Sequence, residues 1–260
     1  MAIEKHNHPT ILRGLIVLEK VIQAQRPISA TDLIEELNLP KPTVNRILQQ
    51  LEEQRLVQRE PVNRRYMPGP RAREMALGVM SNKALGAPRH AILQALSEEI
   101  GETCNCTMLD GDHTVYFDRV EANWPYRIQL PVGSQLPLHC TSSGKLFLAH
   151  MKPRMRQRLI NAAPLKRFTD RTITDPKLLM NELERIAGDG IGIDNEEFIA
   201  GMVAVAVPVF NPANEICFTV AVHAPSVRKP LEALRQYISS LRRAAASMAA
   251  SYCSSGEDEV

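Results

Sequence analysis

Long apolar runs, aromatic residues, paired cysteines and a surplus of either charge are all scarce in this chain. Only 5% of its 260 residues are aromatic, and its net charge is +2. The stretch nearest to membrane length, 201–209, has the size of a strand, so no membrane-spanning helix is expected. The five cysteines are an odd number without scaffold spacing, and the N-terminus has no signal-peptide pattern. These absences indicate a cytoplasmic protein with reduced thiols, no membrane partner and no cofactor.

A helix, a tight turn, a second helix and a basic hairpin follow one another between residues 29 and 66. The second helix has an apolar stripe at a 3.6-residue period, formed by Val44, Ile47, Leu48 and Leu51. Its opposite face carries Lys41, Pro42, Thr43, Asn45, Arg46 and Gln49. Arginine pairs with guanine edges, whereas asparagine and glutamine pair with adenine edges. This face therefore has the chemistry that reading a DNA major groove requires.

The preceding segments supply two supporting helices. One begins after Ser29, a predicted N-cap with Asp32 three residues later, and Pro40 closes the turn that follows it. Its apolar stripe consists of Ala30, Leu33, Ile34 and Leu37. The first helix of the domain is predicted from a stripe of Ile11, Leu15, Leu18 and Ile22. Together the three helices predict one small core.

The basic hairpin predicts a wing. Strands at 56–59 and 65–67 flank a turn at 60–64, whose tip carries Arg64 and Arg65. An ordinary helical domain with solvated arginines is the plain alternative. The order of helices, turn and basic hairpin favours a winged helix-turn-helix domain that binds double-stranded DNA.

The basic charge is concentrated in this part of the chain. Residues 1–84 carry 13 Lys and Arg against 9 Asp and Glu, a net charge of +4, whereas 18 against 20 in the remainder give −2. So small an excess predicts weak phosphate binding by one copy. A dimer or a tetramer is therefore expected to be needed for useful affinity.

The rest of the chain predicts a linker helix and an α/β domain. The linker helix, at 71–83, has an apolar side of Ala72, Met75, Ala76, Val79 and Met80, which packs on the winged domain or meets its twin across a dimer axis. Strands are predicted at 103–109, 115–120, 126–132, 202–210 and 216–223, and helices at 89–100, 143–151, 154–162, 175–187 and 229–252. The predicted domains are a winged domain at 1–69, a linker at 70–86, an α/β domain at 87–253 and a flexible acidic tail at 254–260.

Two cysteines on one predicted strand raise the question of a metal site. The thiols of Cys104 and Cys106 share one face of that strand. Side chains that could join them around a metal are Cys140, Cys217, His139 and His223. Because no second close pair completes such a set, small buried thiols are the favoured interpretation and no metal is predicted.

Two further segments carry a family resemblance: LPLHCTSSGKLFLA at 136–149 and GIGIDNEEFIAG at 190–201. With the winged module they resemble the IclR family of bacterial transcriptional regulators, from about residue 10 to 252. The resemblance implies an α+β architecture: an N-terminal winged helix-turn-helix domain, a linker helix and a C-terminal GAF-like effector-binding domain. It also implies regulators that act as dimers or dimer pairs, often on catabolic genes for small organic acids or aromatic compounds.

The predicted effector site lies at the start of the helix that Thr141 and Ser142 precede. Backbone N–H groups at this end, helped by hydroxyls, favour a carboxylate. The resemblance extends the site to Arg127, Ile128, Ser142, Ser143, Asp194, Ala204, Ala221 and His223. Ala204 and Ala221 stand where several family members have a polar residue, and His223 stands where a small one is usual, so the effector stays unidentified.

Each of these assignments has a plain alternative. Ser142 and Ser143 could simply cap their helix, Asp194 could accept backbone hydrogen bonds in its loop, and His223 could be a satisfied sheet residue. Lys145 is expected to be a solvated helix residue. For the whole protein, the alternatives are a second domain that serves only oligomerisation, and a hydrolase using the Ser-x-x-Lys pattern of Ser142 and Lys145. The supporting motifs of such hydrolases are missing, so we expect no enzyme.

Overall fold

The structure, a computed structural model, describes residues 9–24, 26–60, 63–82, 84–124 and 130–253. It divides into two compact units, Met1–Val79 and Met80–Val260. The predicted tail at 254–260 lies outside the described residues.

The first unit has the predicted order of helices and hairpin. It contains α1 (Thr10–Gln23), α2 (Ala30–Leu37), α3 (Lys41–Glu53), β1 (Val57–Arg59), β2 (Tyr66–Pro68) and α4 (Pro70–Met80), except that Met80, the last residue of α4, belongs to the second unit. β1 and β2 pair antiparallel, with Arg59 opposite Tyr66. The winged helix-turn-helix prediction is therefore confirmed.

Local capping explains where α2 begins and ends. The Ser29 hydroxyl accepts the backbone N–H of Asp32 at 3.1 Å, and the Asp32 carboxylate accepts the N–H of Ser29 at the same distance. This reciprocal pair satisfies two N–H groups that the first turn cannot bond internally. Asn38 takes a left-handed conformation, with φ of 50°, and ends the helix.

The core of this unit differs from prediction at α1. Leu18 is buried as expected, but Ile11, Leu15 and Ile22 are exposed, and Val17 and Val21 are buried in their place. Helix α1 is apolar on more than one side, so its period allowed several stripes. Packing against α3 and β2 selected the face of 17, 18 and 21.

The linker helix is shorter than predicted. Helix α4 ends at Met80, and the Asn82 side chain then accepts the backbone N–H groups of Ala84 and Leu85. Such a side-chain turn competes with helix continuation. Of the predicted apolar side, Ala72 is buried, whereas Met75 and Val79 are exposed.

The second unit is built on one antiparallel sheet. Its elements are α5 (Ala87–Ile100), β3 (Thr103–Asp110), β4 (His113–Val120), β5 (Gln135–Pro137), α6 (Ser142–His150), α7 (Pro153–Asn161), α8 (Pro176–Asp189), β6 (Gly192–Asn195), β7 (Met202–Phe210), β8 (Ile216–Pro225), α9 (Leu231–Arg235) and α10 (Ile238–Cys253). The strand order is β5-β4-β3-β8-β7-β6. This α/β arrangement is the predicted GAF-like class.

Three element predictions in this unit need correction. No strand forms at 130–132, and the remainder of the predicted 126–132 strand lies outside the described residues; the next strand is β5. The segment 190–201, for which no strand was predicted, contains β6. Its apolar run is too short to have indicated a strand. The last helix is broken by a turn at 236–237, so α9 and α10 are separate.

Alternation along the strands separates the two faces of the sheet. The thiol of Cys106 contacts the Met248 sulfur on α10 at 3.9 Å, whereas the Thr219 hydroxyl donates to Ser143 on α6 at 2.8 Å. Since Thr219 pairs with Thr107, the residue after Cys106, α10 and α6 pack on opposite faces. Cys104 and Cys106 are buried on the α10 face, as the favoured interpretation predicted.

Candidate functional site

The outer face of α3 presents the side chains predicted to contact DNA. Val44, Ile47 and Leu48 are buried, while the predicted contact residues are at least partly accessible: Lys41, Thr43, Asn45, Arg46 and Gln49. No side chain caps α3 and no acid lies in its first turn. Its positive end is therefore left open to a phosphate.

The hairpin places two arginines differently. Arg64 is exposed and adopts a left-handed conformation, with φ of 52°. Arg65 is half-buried, and its guanidinium lies 3.4 Å from the Pro27 carbonyl oxygen and 4.0 Å from the Asp32 carboxylate. Of the two, Arg64 has the greater freedom to reach a phosphate.

In the second unit, six of the eight residues predicted to bind an effector line one cavity. They are Ser142, Ser143, Asp194, Ala204, Ala221 and His223. Arg127 and Ile128 lie outside the described residues. The cavity has a volume of about 50 Å³, and its wall also includes Asn105, Tyr116, Phe198 and Met202. Residues from all six strands of the sheet, the start of α6 and the turn after β6 thus converge on one space.

A glycine allows α6 to begin directly against β6. A Cβ atom added to Gly192 would lie 2.0 Å from the carbonyl oxygen of Ser142, a distance that no side chain tolerates. The start of the helix therefore depends on the absence of a side chain at this strand position. This contact holds Ser142 at the cavity wall.

The first turn of α6 combines a capped part with an open part. The Thr141 hydroxyl accepts the Gly144 N–H at 3.1 Å. Within the described ranges, the Ser142 hydroxyl and the backbone N–H groups of Ser142 and Ser143 have no hydrogen-bond partner. Thr141, rather than Ser142 or Ser143, therefore caps the helix, and the first turn keeps hydrogen-bond donors beside the cavity without a partner in the described part of the chain.

Asp194 accepts backbone hydrogen bonds within its loop and also lines the cavity. Its Oδ1 atom accepts the backbone N–H groups of Glu197 at 2.8 Å and Phe198 at 3.4 Å, so the carboxylate organises its own loop. Burial, with the nearby Glu197 carboxylate, raises the pKa of Asp194 to about 7. A protonated Asp194 can donate a hydrogen bond to an anion instead of repelling it.

The imidazole of His223 is held between two polar side chains. Nδ1 lies 3.2 Å from the Asn105 amide nitrogen, and Nε2 lies 3.3 Å from a guanidinium nitrogen of Arg119. Burial first, and then the Arg119 charge, lowers the pKa of His223 to about 3. The ring is therefore neutral, and the fixed charge beside the cavity belongs to Arg119.

Asn105 and Tyr116 are cavity residues that the sequence analysis missed. Asn105 lies between the buried Cys104 and Cys106 but faces the other side of the sheet. A lone amide within a buried strand was the available signal, because a buried polar group needs a partner. Tyr116 carried no comparable signal, since tyrosine is common in strands.

Lys145 is the clearest error in the sequence analysis. It was expected to be solvated, yet it is fully buried, and its Nζ lies 2.5 Å from Glu197 Oε1 and 3.3 Å from Glu182 Oε1. Two carboxylates from distant segments compensate its charge, which sequence spacing does not reveal. Engaged in this way, Lys145 is not oriented to activate Ser142, so the geometry gives the Ser-x-x-Lys hydrolase no support.

The described residues form neither a metal site nor a membrane-spanning helix. No three His, Cys, Asp or Glu side chains lie together as a metal site within these ranges. His223 and Cys104 lie on opposite faces of the sheet, so the metal set considered above does not assemble. Among the described helices, none is both long and apolar enough to cross a membrane.

Two family models match the chain, one for each unit. The model for the IclR helix-turn-helix domain matches residues 10–61. The model for the C-terminal part of the bacterial transcriptional regulator IclR matches residues 78–250.

Individual relatives agree with these matches. The probable transcriptional regulator SauR of Cupriavidus necator is 42% identical over 248 residues, covering 95% of this chain and 98% of SauR. The crystal structure of Thermotoga maritima IclR is 26% identical, with a TM-score of 0.62, covering 93% and 98% of the two chains. A double mutant of the inducer-binding domain of Acinetobacter PobR, solved with 3-hydroxybenzoic acid, is 26% identical, with a TM-score of 0.57, covering 62% of this chain and 94% of that domain. The chain therefore belongs to the IclR family of bacterial transcriptional regulators.

Proposed function

We propose that this DNA-binding regulator reads a palindromic operator through α3 and the wing, and that a small organic carboxylate in the cavity of the second unit controls its affinity for that operator. The observation that carries the effector proposal is the convergence of six predicted residues on one cavity beside the start of α6. Control by an effector requires that the ligand bind two states of the protein unequally.

For the DNA, we assign the base contacts to Asn45, Arg46 and Gln49. Asn45 and Arg46 are exposed, and the Gln49 amide is bonded to Glu53 at 3.0 Å, a contact that a base edge has to replace. Lys41 and Thr43 at the start of α3, with Arg64 and Arg65 on the wing, are assigned to the phosphate backbone.

For the effector, the polarity of the cavity favours an anion. Donors come from the first turn of α6, and the Arg119 charge lies behind a neutral His223. Asp194 opposes an anion only when it is ionised, and its raised pKa weakens this opposition below neutral pH. The apolar part of the wall, such as Phe198 and Met202, suits a short carbon chain.

Size limits the effector further. A volume of about 50 Å³ accommodates roughly three to five water molecules, at about 10–15 Å³ for each. A compact acid of a few carbon atoms fits this space best. The 3-hydroxybenzoic acid bound by the PobR domain is larger, and here it requires the wall to open.

We also propose that the protein acts as a homodimer or a dimer of dimers. The exposed apolar residues of α1 and α4 support self-association, since such residues are normally covered. They are Ile11, Leu12, Leu15, Ile22, Met75 and Val79. The same observation favours the second candidate, a DNA-binding protein whose second unit serves only oligomerisation.

Thermal unfolding of the full chain with acetate, malonate, succinate and 3-hydroxybenzoate tests the effector proposal. We expect at least one of the smaller acids to raise the Tm and to change the affinity for an operator duplex selected from random DNA. Ser142→Ala removes a hydroxyl that has no partner among the described residues. It should weaken binding of that acid about tenfold or more, since a hydrogen bond to a charged group contributes about 1.5–3 kcal/mol. Ser247→Ala, an exposed change on α10, is the matched control.

The outcomes separate the two candidates. Stabilisation that Ser142→Ala reduces and Ser247→Ala preserves supports an effector site at α6. If no acid shifts the Tm while operator binding and self-association persist, the oligomerisation role is favoured.

A further inference from the structure

One arginine joins the sheet that forms the cavity wall to the end of the linker helix. Arg89 on α5 is only 5% exposed. Its Nε donates to Asp118 Oδ2 on β4 at 2.8 Å, and its Nη2 donates to the carbonyl oxygen of Met80, the last residue of α4, at 2.8 Å. The guanidinium also lies 4.8 Å from the centre of the Phe117 ring. A single planar group thus contacts three points on two elements.

A bulge in β4 places this clamp next to the cavity. Cys106 pairs with Asp118 and Thr107 pairs with Tyr116, so Phe117 is an extra residue on β4. Phe117 and Asp118 therefore both face Arg89. The residues on either side face the other way: Tyr116 lines the cavity, and Arg119 bonds the cavity residue His223.

Because of the bulge, β4 directly connects the cavity with the residues that hold Arg89. A ligand that moves Tyr116 directly, or moves Arg119 through His223, acts on the strand whose residues Phe117 and Asp118 hold Arg89. Because interiors are close-packed, a shift of this strand is passed to its partners rather than absorbed. Bulges occur often beside functional sites because they redirect side chains in this manner.

The connection after α4 is closed around the same guanidinium. A Cβ atom on Gly86 would lie against Arg89 Nη2, so a side chain at this position would require the guanidinium to move. The Gly86 N–H donates to the Asn82 carbonyl oxygen at 2.8 Å, and Asn82 Oδ1 accepts from Ala84 and Leu85. The amides of Ala84, Leu85 and Gly86 therefore report on the segment that Arg89 holds.

We propose that Arg89 is a positioning residue that transmits the state of the cavity from β4 to the C-terminal end of the linker helix. The proposal deepens the proposed function and rests on it for the biological meaning of the cavity. A purely structural clamp would stabilise the domain to the same degree whether the cavity is full or empty. A transmitting clamp makes the segment after α4 respond to the cavity.

A cavity-filling variant tests this without any ligand. Ala204 lines the cavity, so Ala204→Leu occupies it from within. Hydrogen exchange at Ala84, Leu85 and Gly86 is measured in the full chain with and without this change, and again in an Arg89→Lys background. Lysine keeps the charge but lacks the planar fork that reaches Asp118 and Met80 together.

We expect Ala204→Leu to change exchange at the three amides by about fivefold or more, the lower end of typical allosteric coupling. In the Arg89→Lys background the change should fall towards none. Arg243→Lys, which alters an exposed arginine bonded to Glu99, is the matched control and should preserve the full response. Should Arg89→Lys fail to fold, Asp118→Asn weakens the same clamp from β4 and takes its place.

An equal response in both backgrounds, or no response in either, would overturn the proposal. Failure of the proposed effector function alone would give a different set of results. In that case no carboxylate binds, while Ala204→Leu still changes the exchange of the segment through Arg89.

Discussion

The Nζ atom of Lys145 lies 2.5 Å from Oε1 of Glu197, and both side chains are buried. Lys145 belongs to α6, whereas Glu197 lies in the turn after β6 and donates its backbone N–H to Asp194 on that strand. The pair therefore joins two segments that form the cavity wall. Burial raises the pKa of Glu197, and the Lys145 ammonium opposes that rise.

Removing the lysine charge should strongly destabilise the second unit. Lys145→Met leaves Glu197 and Glu182 without their buried cation, and breaking a buried pair in this way costs about 3–5 kcal/mol. Urea unfolding measures the loss. Lys177→Met, at an exposed position on α8, should change the free energy of unfolding by less than about 0.5 kcal/mol. Equal effects of the two variants would contradict the structural role of the pair.

Two glycines of the second unit should respond to alanine in opposite directions. Gly192→Ala forces a methyl group against the Ser142 carbonyl, so it should destabilise the protein and displace the start of α6. Gly188→Ala has open space within α8 and should stabilise the protein by about 0.5–1 kcal/mol, because alanine favours helix. Thermal unfolding compares the two. A neutral Gly192→Ala would show that α6 does not require this close approach.

Arg46 should determine the sequence preference of DNA binding. Arg46→Ala removes the proposed base contact and should cost about 1–3 kcal/mol on the selected operator, with relaxed specificity at one position. Gel-shift titration on the operator and on an unrelated duplex measures both effects. Lys20→Ala, which removes a positive charge on α1 paired with Glu36, should leave the preference unchanged. Unaltered specificity in Arg46→Ala would remove this residue from the base-reading set.

Replacing Arg64 should weaken DNA binding without lowering the stability of the protein. Its φ of 52° lies in the left-handed region, which glycine adopts without a Cβ clash. Arg64→Gly should therefore keep or improve the thermal stability. It should also weaken binding to all duplexes and lower the salt slope by about one, as expected for a lost phosphate contact. An unchanged salt dependence would argue that the wing arginine does not contact DNA.

The stability of the protein should depend on pH through Asp194. Because its pKa is raised from 3.8 to about 7, the native state keeps a proton that the unfolded chain has released between these values. Its contribution to stability therefore falls as pH rises from about 4 to about 7. His223 acts in the opposite direction, since its lowered pKa makes the unfolded chain bind the extra proton between about 3 and 6.5.

The contribution of Asp194 to the pH dependence of stability is obtained by comparing Asp194→Asn with the natural chain. Asp194→Asn should gain stability relative to the natural chain as pH rises through that window, measured by urea unfolding at several pH values. Asp170→Asn, an exposed control, should follow the natural chain. A constant difference between Asp194→Asn and the natural chain would show that Asp194 titrates normally.

Much of the first unit was predictable because its signals are local. The capping pair of Ser29 and Asp32 and the stripe of Val44, Ile47 and Leu48 lie within single helical segments. Helix α1 shows the limit of this approach, since an excess of apolar residues left its buried face undetermined. Neighbouring elements then decided that Ile11 is exposed and Val17 buried.

The lining of the cavity in the second unit was predictable in part, but its chemistry was not. Family resemblance indicated Ser142, Asp194 and His223, and these residues do meet at one cavity. The neutral state of His223 was not predictable, because it arises from burial and from Arg119, 104 residues away in the chain. Pairing across the sheet, rather than spacing along the chain, creates that environment.

The sequence alone determined the order of helices and hairpin, the basic character of the first unit and the family, because periodicity, capping and motif order are properties of neighbouring residues. Only the tertiary structure decided that Lys145 is buried with Glu197, that Asn105 meets His223 across 118 residues, and that the Phe117 bulge turns Asp118 towards Arg89. These features depend on contacts between distant segments, whose free energy is realised only when the sheet and its helices have packed.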